Sequence, residues 1–241
     1  MRHLLIILLL VPCLALTQQV KNLDLAEQSL VKVQVKEYES LLFNGKLQMS
    51  IALPKNYQHS AKRYPVIYTL DGEFLLPSVI NISRVRASRN LMPESIVVGL
   101  KTSGAFNRMS IAMPMKREAN AENIIFANAK PNEFLTFLNE TLMPYIDKHY
   151  RTVNHNTIIG MSPTGGLVLT DYFSSTPLFN AHLALASDPQ FYSLDDKPLI
   201  KKVVQIAKKN NNSRLYLSRG KLDFKNSKNT SKQEAFNYLK Q

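Results

Sequence analysis

Apolar and polar residues alternate over positions 30–36 and again over 47–53. A period of two places apolar side chains on one face of an extended strand and polar ones on the other. Asn44-Gly45 between the two stretches suits a tight turn, so the chain is expected to open with an antiparallel strand pair. The pattern then changes. Positions 66–70, 95–100, 157–159, 183–186 and 215–217 are continuous apolar runs, rich in β-branched residues. Runs of this kind belong to strands covered on both faces, as in a parallel sheet. Between them the period becomes helical. From Pro131 to Tyr150, Phe134, Leu135, Phe137, Leu138, Leu142 and Ile146 recur at helix spacing, and Pro144 should kink or divide the element. A further helix is expected from Lys232 to Leu239. Strand and helix in alternation predict a doubly wound α/β fold. Residues 103–130 form a long polar stretch, read either as a lid over a site or as an insert.

Length and composition leave that picture unchanged. The chain has 241 residues, 45% hydrophobic and 20% charged, which suits a single domain with a sizeable core. The N-terminus adds a targeting reading. Arg2 and His3 precede the apolar run Leu4–Leu10, and Ala15 and Thr17 offer small residues for cleavage. Residues 1–17 are therefore read as a signal peptide and residues 18–241 as one domain, exported to the periplasm or secreted, with no stable membrane insertion after cleavage. Cys13 is the one cysteine and lies in the leader, so the domain is expected to hold no disulfide. The formal charge of +12 raises nucleic-acid binding, but the basic residues are scattered and no recognition motif accompanies them. A basic, soluble surface is the preferred reading.

The densest chemical signal runs from Thr157 to Leu167. A β-branched stretch enters Gly160-Met161-Ser162, and small residues and a helical pattern follow. This outlines a nucleophile elbow, a strand-to-helix turn that lifts a serine hydroxyl above a parallel sheet. Gly160 is the small residue two positions before the serine. Thr164 stands two positions after it, where the usual pattern has glycine, and Pro163 follows the serine directly. That last position normally donates a backbone N–H to an oxyanion, and proline has none. The sequence holds no metal-spaced His/Cys/Asp/Glu cluster, no phosphate-binding glycine loop and no Cys-x-x-Cys, so no metal or cofactor is expected.

Several segments, in order, resemble one family. Tyr64 to Glu73 (YPVIYTLDGE), Ser95 to Leu100 (SIVVGL) followed by Arg108, and Phe134 to Tyr150 with its LMPYID core resemble the putative-esterase group of α/β-hydrolases, which includes enterochelin esterases and the esterase D branch. The resemblance runs from about residue 30 to residue 224. It implies an α/β-hydrolase-type doubly wound, mostly parallel sheet with an antiparallel N-terminal strand pair, C-terminally shortened. It also implies hydrolysis of a small-molecule carboxylic ester.

Carried over residue by residue, the resemblance makes Ser162 the nucleophile. Asp223, in the Gly220-Lys221-Leu222-Asp223 turn after the strand 214–217, is the candidate acid, with a solvated surface aspartate as the alternative and Asp188 as a weaker choice. Gly72 and Glu73 are placed at the oxyanion and substrate-binding site, together with Thr164; the N–H of Thr164 or of Gly165 would replace the one Pro163 lacks if the turn is rearranged. The family's histidine follows the last strand, whereas here no histidine follows His182. His155 and His182 are expected at the opposite sheet edge, about 17 Å from the serine. Two readings therefore stand. One is an exported serine hydrolase acting through an acyl-enzyme on Ser162, impaired for want of a base. The other is an inactive homologue that binds a ligand in the same cleft.

Overall fold

The computed structural model describes residues 33–40, 45–102, 108–111, 115–116, 124–125, 128–187 and 213–218. The chain divides into a unit Met1–Leu30, outside the described residues, and a unit Val31–Gln241 that carries the fold. The leader, Asp188, Asp223 and the helix expected over 232–239 also lie outside the described residues.

In chain order the elements are β1 (Val33–Ser40), β2 (Gly45–Ala52), β3 (Tyr64–Thr69), α1 (Gly72–Ser88), β4 (Ile96–Leu100), α2 (Arg108–Ile111), β5 (Met115–Lys116), β6 (Ile124–Ile125), α3 (Pro131–Phe137), a π-helical turn Leu138–Leu142, α4 (Met143–His149), β7 (Thr152–Met161), α5 (Pro163–Tyr172), β8 (Ala181–Leu185) and β9 (Arg214–Leu217). Seven strands form one sheet in the order β1-β2-β4-β3-β7-β8-β9. The first two pair antiparallel, from Val33 opposite Ala52 to Ser40 opposite Gly45. β2 is antiparallel to β4, and every pair from β4 to β9 is parallel. The mixed sheet of α/β-hydrolase type matches the sequence reading.

The continuous apolar runs are explained by two cores. Val66, Tyr68, Val98 and Ile158 face one side, where they pack with Phe134, Leu138 and Ile146 of the α3–α4 element and Leu167, Val168 and Leu169 of α5. Ile67, Val97 and Ile159 face the other, against Leu76 and Ile80 of α1. With a helix layer on each face, neither side of a central strand needs polar residues.

Three details refine the sequence reading. β7 begins at Thr152, five residues before the apolar run; its first half is exposed over Val153, Asn154 and His155 and offers one lone valine as apolar signal. The element is divided next to Pro144, as expected, into α3, a π-helical turn and α4. The π-helical turn just before it absorbs the missing N–H, and the proline falls in the first turn of α4. The stretch 103–130 holds described secondary structure, namely α2 and the antiparallel pair β5–β6.

Candidate active site

The site is placed by two neighbouring strands. β3 and β7 pair in parallel, with Thr69 opposite Ile159, and the Leu70 N–H donates to the Ile159 carbonyl at 2.8 Å. Each strand then enters a helix, β3 into α1 and β7 into α5. Two helix N-termini therefore start side by side at the C-terminal edge of the sheet, where such folds bind ligands. Each presents first-turn N–H groups and a partial positive charge.

Ser162 sits at the junction of β7 and α5 with φ 57° and ψ −116°. Positive φ in a residue with a side chain costs on the order of 1–3 kcal/mol and persists only where the surroundings fix it. They do so here. The Ser162 N–H donates to the Leu185 carbonyl of β8 at 2.8 Å, and its own carbonyl accepts from Gly166 N–H at 3.3 Å. The serine is exposed, although Thr164 to Leu169 behind it are buried. Gly160 is required by packing, since a Cβ there would stand 2.6 Å from the Thr164 carbonyl oxygen. The strand-to-helix bend read from the sequence is thus present, with its hydroxyl-bearing residue at the open rim.

Beneath the bend lies a buried carboxylate that the sequence reading did not use. Asp71 ends the β3 turn at φ 53° and ψ 42° and caps α1, its carbonyl accepting from Phe74 and Leu75 N–H at 2.8 and 2.9 Å. Its side chain is fully buried. Oδ1 accepts from the Thr102 hydroxyl at 2.5 Å, and Oδ2 accepts from the Thr164 hydroxyl at 2.6 Å. Arg108 Nη2, on α2, lies 3.2 Å from Oδ2 and donates to the Met161 carbonyl at 2.8 Å. The Thr164 hydroxyl also accepts the Met161 N–H at 2.9 Å. Arg108 reaches the site from a segment that the sequence pattern left as a loop.

The other nominated residues fall as follows. Gly72 and Glu73 open α1, and the helix supplies no acceptor for their N–H groups because its first bonds come from Phe74 and Leu75. A Cβ on Gly72 would lie 2.8 Å from the Gly99 carbonyl carbon, so only glycine lets α1 sit this close to β4. The Glu73 side chain is turned to the Thr102 N–H, which it accepts at 3.1 Å. Thr164 is fully buried and its hydroxyl is committed to Asp71 and Met161, which leaves its N–H as the group for any oxyanion role. Asp223 lies outside the described residues.

The histidines are on the other side of the strands. His182 is not before β8 but inside it, paired with Ile158, whereas Leu185 pairs with Met161. Three residues of strand put it roughly 10 Å below the rim. It is fully buried, with Nε2 2.7 Å from Asp171 Oδ2 and Nδ1 2.9 Å from Ser213 Oγ. His155 lies within β7, six residues before Met161. His149 ends α4, Nδ1 on the Tyr145 carbonyl at 2.7 Å, and His59 ends the turn that precedes β3. Each described imidazole lies before a strand or in its first half, whereas Ser162 follows one. Among the described residues, no three His, Cys, Asp or Glu side chains gather to hold a metal ion, and no helix is long and apolar enough to cross a membrane.

Solved structures share this fold. An IroE-like serine hydrolase from Shewanella oneidensis aligns with a TM-score of 0.62 and 24% identity over 76% of this chain and 59% of its own. The BES protein from Bacillus cereus aligns at 0.63 and 21%, covering 85% of this chain and 80% of that one. Siderophore hydrolase EstB from Aspergillus nidulans aligns at 0.60 and 16%, covering 88% and 81%. This chain thus spans about three fifths of the length of the Shewanella hydrolase. Among curated proteins the sequence finds no match. The family model described as putative esterase matches residues 40–240, which takes in β3, α1, the Ser162 bend and β9, and the chain belongs to that family.

Proposed function

We propose that the protein is an exported serine hydrolase of small-molecule carboxylic esters. The observation that carries the reading is Ser162, exposed at positive φ where β7 enters α5, beside the N-terminus of α1. Ser162 Oγ attacks the ester carbonyl carbon, the bond to the alcohol oxygen breaks, and the alcohol leaves with a proton. Water then attacks the acyl-serine and releases the acid. The oxyanion of each tetrahedral intermediate is held by N–H groups at the start of α1, from Gly72 and Glu73, and by Thr164 N–H in place of Pro163. Asp223 is the acid of this site. No described imidazole stands at Ser162.

The experiment is labelling of the full chain with a fluorophosphonate, read by intact mass. Labelling at Ser162, lost in Ser162→Ala, supports the reading, and equal labelling of the alanine variant overturns it. Export is tested by locating the mature chain after cell fractionation.

A second reading has its own observation. Pro163 opens α5 without an N–H and no described imidazole faces the serine, as suits a homologue that binds an ester-like ligand without cleaving it. Folded protein that resists the probe while still binding such a ligand would favour it.

A further inference from the structure

The threonine that stands where the elbow pattern has glycine occupies the centre of the site's support. Thr164 Oγ1 accepts the Met161 N–H at 2.9 Å and has one proton to give. Two acceptors lie in range, Asp71 Oδ2 at 2.6 Å and the Met161 carbonyl at 3.0 Å. The carboxylate is nearer and charged, so it takes the proton. Met161 is the residue directly before Ser162, and Thr164 is two residues after it. One hydroxyl therefore closes the bend across the nucleophile. The same hydroxyl reaches Asp71, which caps α1 from 93 positions away in the chain. Arg108 completes the brace by holding the Met161 carbonyl and Asp71 Oδ2 with one nitrogen. Met161 thus has both its N–H and its carbonyl held by side chains. Asp71 and Thr164 are fully buried, so water does not compete for these bonds.

We propose that Asp71 and Thr164 are positioning residues, a hydroxyl–carboxylate tether that sets the start of α1, with its oxyanion-facing N–H groups, against Ser162. A glycine at position 164 could make neither bond, and Met161 N–H and Asp71 Oδ2 would each lose a partner. The tether also explains how the bend keeps its geometry with Pro163 in the first helical position. Misplacing reacting groups by about 1 Å can cost on the order of a hundredfold in rate.

The inference rests on the serine-hydrolase reading, and the test separates the two. The full chain and its Thr164→Val, Thr164→Ala and Thr164→Ser variants are labelled with a fluorophosphonate and assayed on p-nitrophenyl acetate, with thermal unfolding followed alongside. Thr164→Ser keeps the hydroxyl and is expected to label within about threefold of the parent. Thr164→Val and Thr164→Ala remove it, and at least a tenfold loss in labelling rate and in kcat, with KM within about twofold, is expected from variants that still unfold cooperatively. Thr164→Ala adds no atom to the packed site and serves if the valine variant does not fold. Equal rates in parent, alanine and serine variants overturn the tether and leave the hydrolase reading standing. A well-folded parent that neither labels nor turns over overturns both.

Discussion

Tyr68 offers a test of the core directly beneath this site. It lies on β3, three residues before Asp71, with its ring fully buried and edge-on to Phe179 at 5.7 Å between centroids. Its hydroxyl finds no hydrogen-bond partner among the described residues. A buried hydroxyl without a partner costs about 1–3 kcal/mol, so Tyr68→Phe, which removes one oxygen and leaves the ring, is expected to stabilise the fold by about 1 kcal/mol at pH 7.5. The gain should grow with pH. Burial, and secondarily the charge of Asp147, raises the Tyr68 pKa well above the ordinary tyrosine value. The folded state therefore keeps the proton while the unfolded chain loses it near pH 10. A raised folded pKa gives stability that is whole below the unfolded value and lost as pH rises past it. At pH 11.5 the loss is about 2 kcal/mol, at 1.36 kcal/mol per unit beyond pH 10. Phenylalanine has no such proton. Urea unfolding of parent and variant at pH 7.5 and 11.5 should give a difference of about 1 kcal/mol at the lower pH and about 3 at the higher. A difference that does not grow with pH would refute the argument, and so would a variant less stable than the parent at both.

The Asp71 brace and the histidine give two further tests. Arg108→Met leaves the buried Asp71 carboxylate with two hydroxyl donors and no counter-charge among the described residues. Because the Arg108 side chain is 27% exposed, a loss toward the low end for a broken buried pair is expected, about 2–3 kcal/mol by urea unfolding. Combining it with Asp71→Asn should recover at least about 1 kcal/mol of that loss, and strictly additive effects would count against the pairing. His182→Leu leaves the Asp171 carboxylate to the Leu178 and Phe179 N–H groups and should cost about 1–3 kcal/mol, yet the labelling rate of Ser162 per folded molecule at 15 °C should stay at the parent value. A selective loss of labelling would make His182 part of the chemistry.

The fold was legible because most of its strands carry local patterns. Alternation marked β1 and β2, and apolar runs marked the strands buried between two helix layers. The first half of β7 escaped because its residues face water, and its pairing comes from β3, where Tyr64 meets Thr152 across a register irregularity. The serine bend was legible because its demands are local, a strand, a small residue and a helix start within eleven positions. The brace under it was not, since its members come from residues 71, 102, 108 and 164 and meet only through the sheet order. One signal did point there. A branched polar residue where a tight bend normally takes glycine calls for a partner, and a buried aspartate before α1 is that partner.

His182 shows why geometry must be weighed by place. Asp171, His182 and Ser213 form a carboxylate–imidazole–hydroxyl line with spacings of 2.7 and 2.9 Å, the order of groups that activates a serine. Here it activates nothing. Asp171 also accepts the Leu178 and Phe179 N–H groups at 3.0 and 3.3 Å, and Ser213 Oγ lies 3.2 Å from the Phe179 carbonyl. Ser213 precedes β9, so it stands where the strands begin, whereas Ser162 stands where they end. What the line does is tie the last turn of α5 to the starts of β8 and β9. Asp71, through Thr164, holds the first turn of the same helix. Both ends of α5 are thus fastened by buried carboxylates drawn from outside its own hydrogen-bond ladder or extending beyond it. A strained residue keeps its conformation only when its neighbours cannot relax, and this helix, fixed at each end, is what lets Ser162 remain exposed at positive φ.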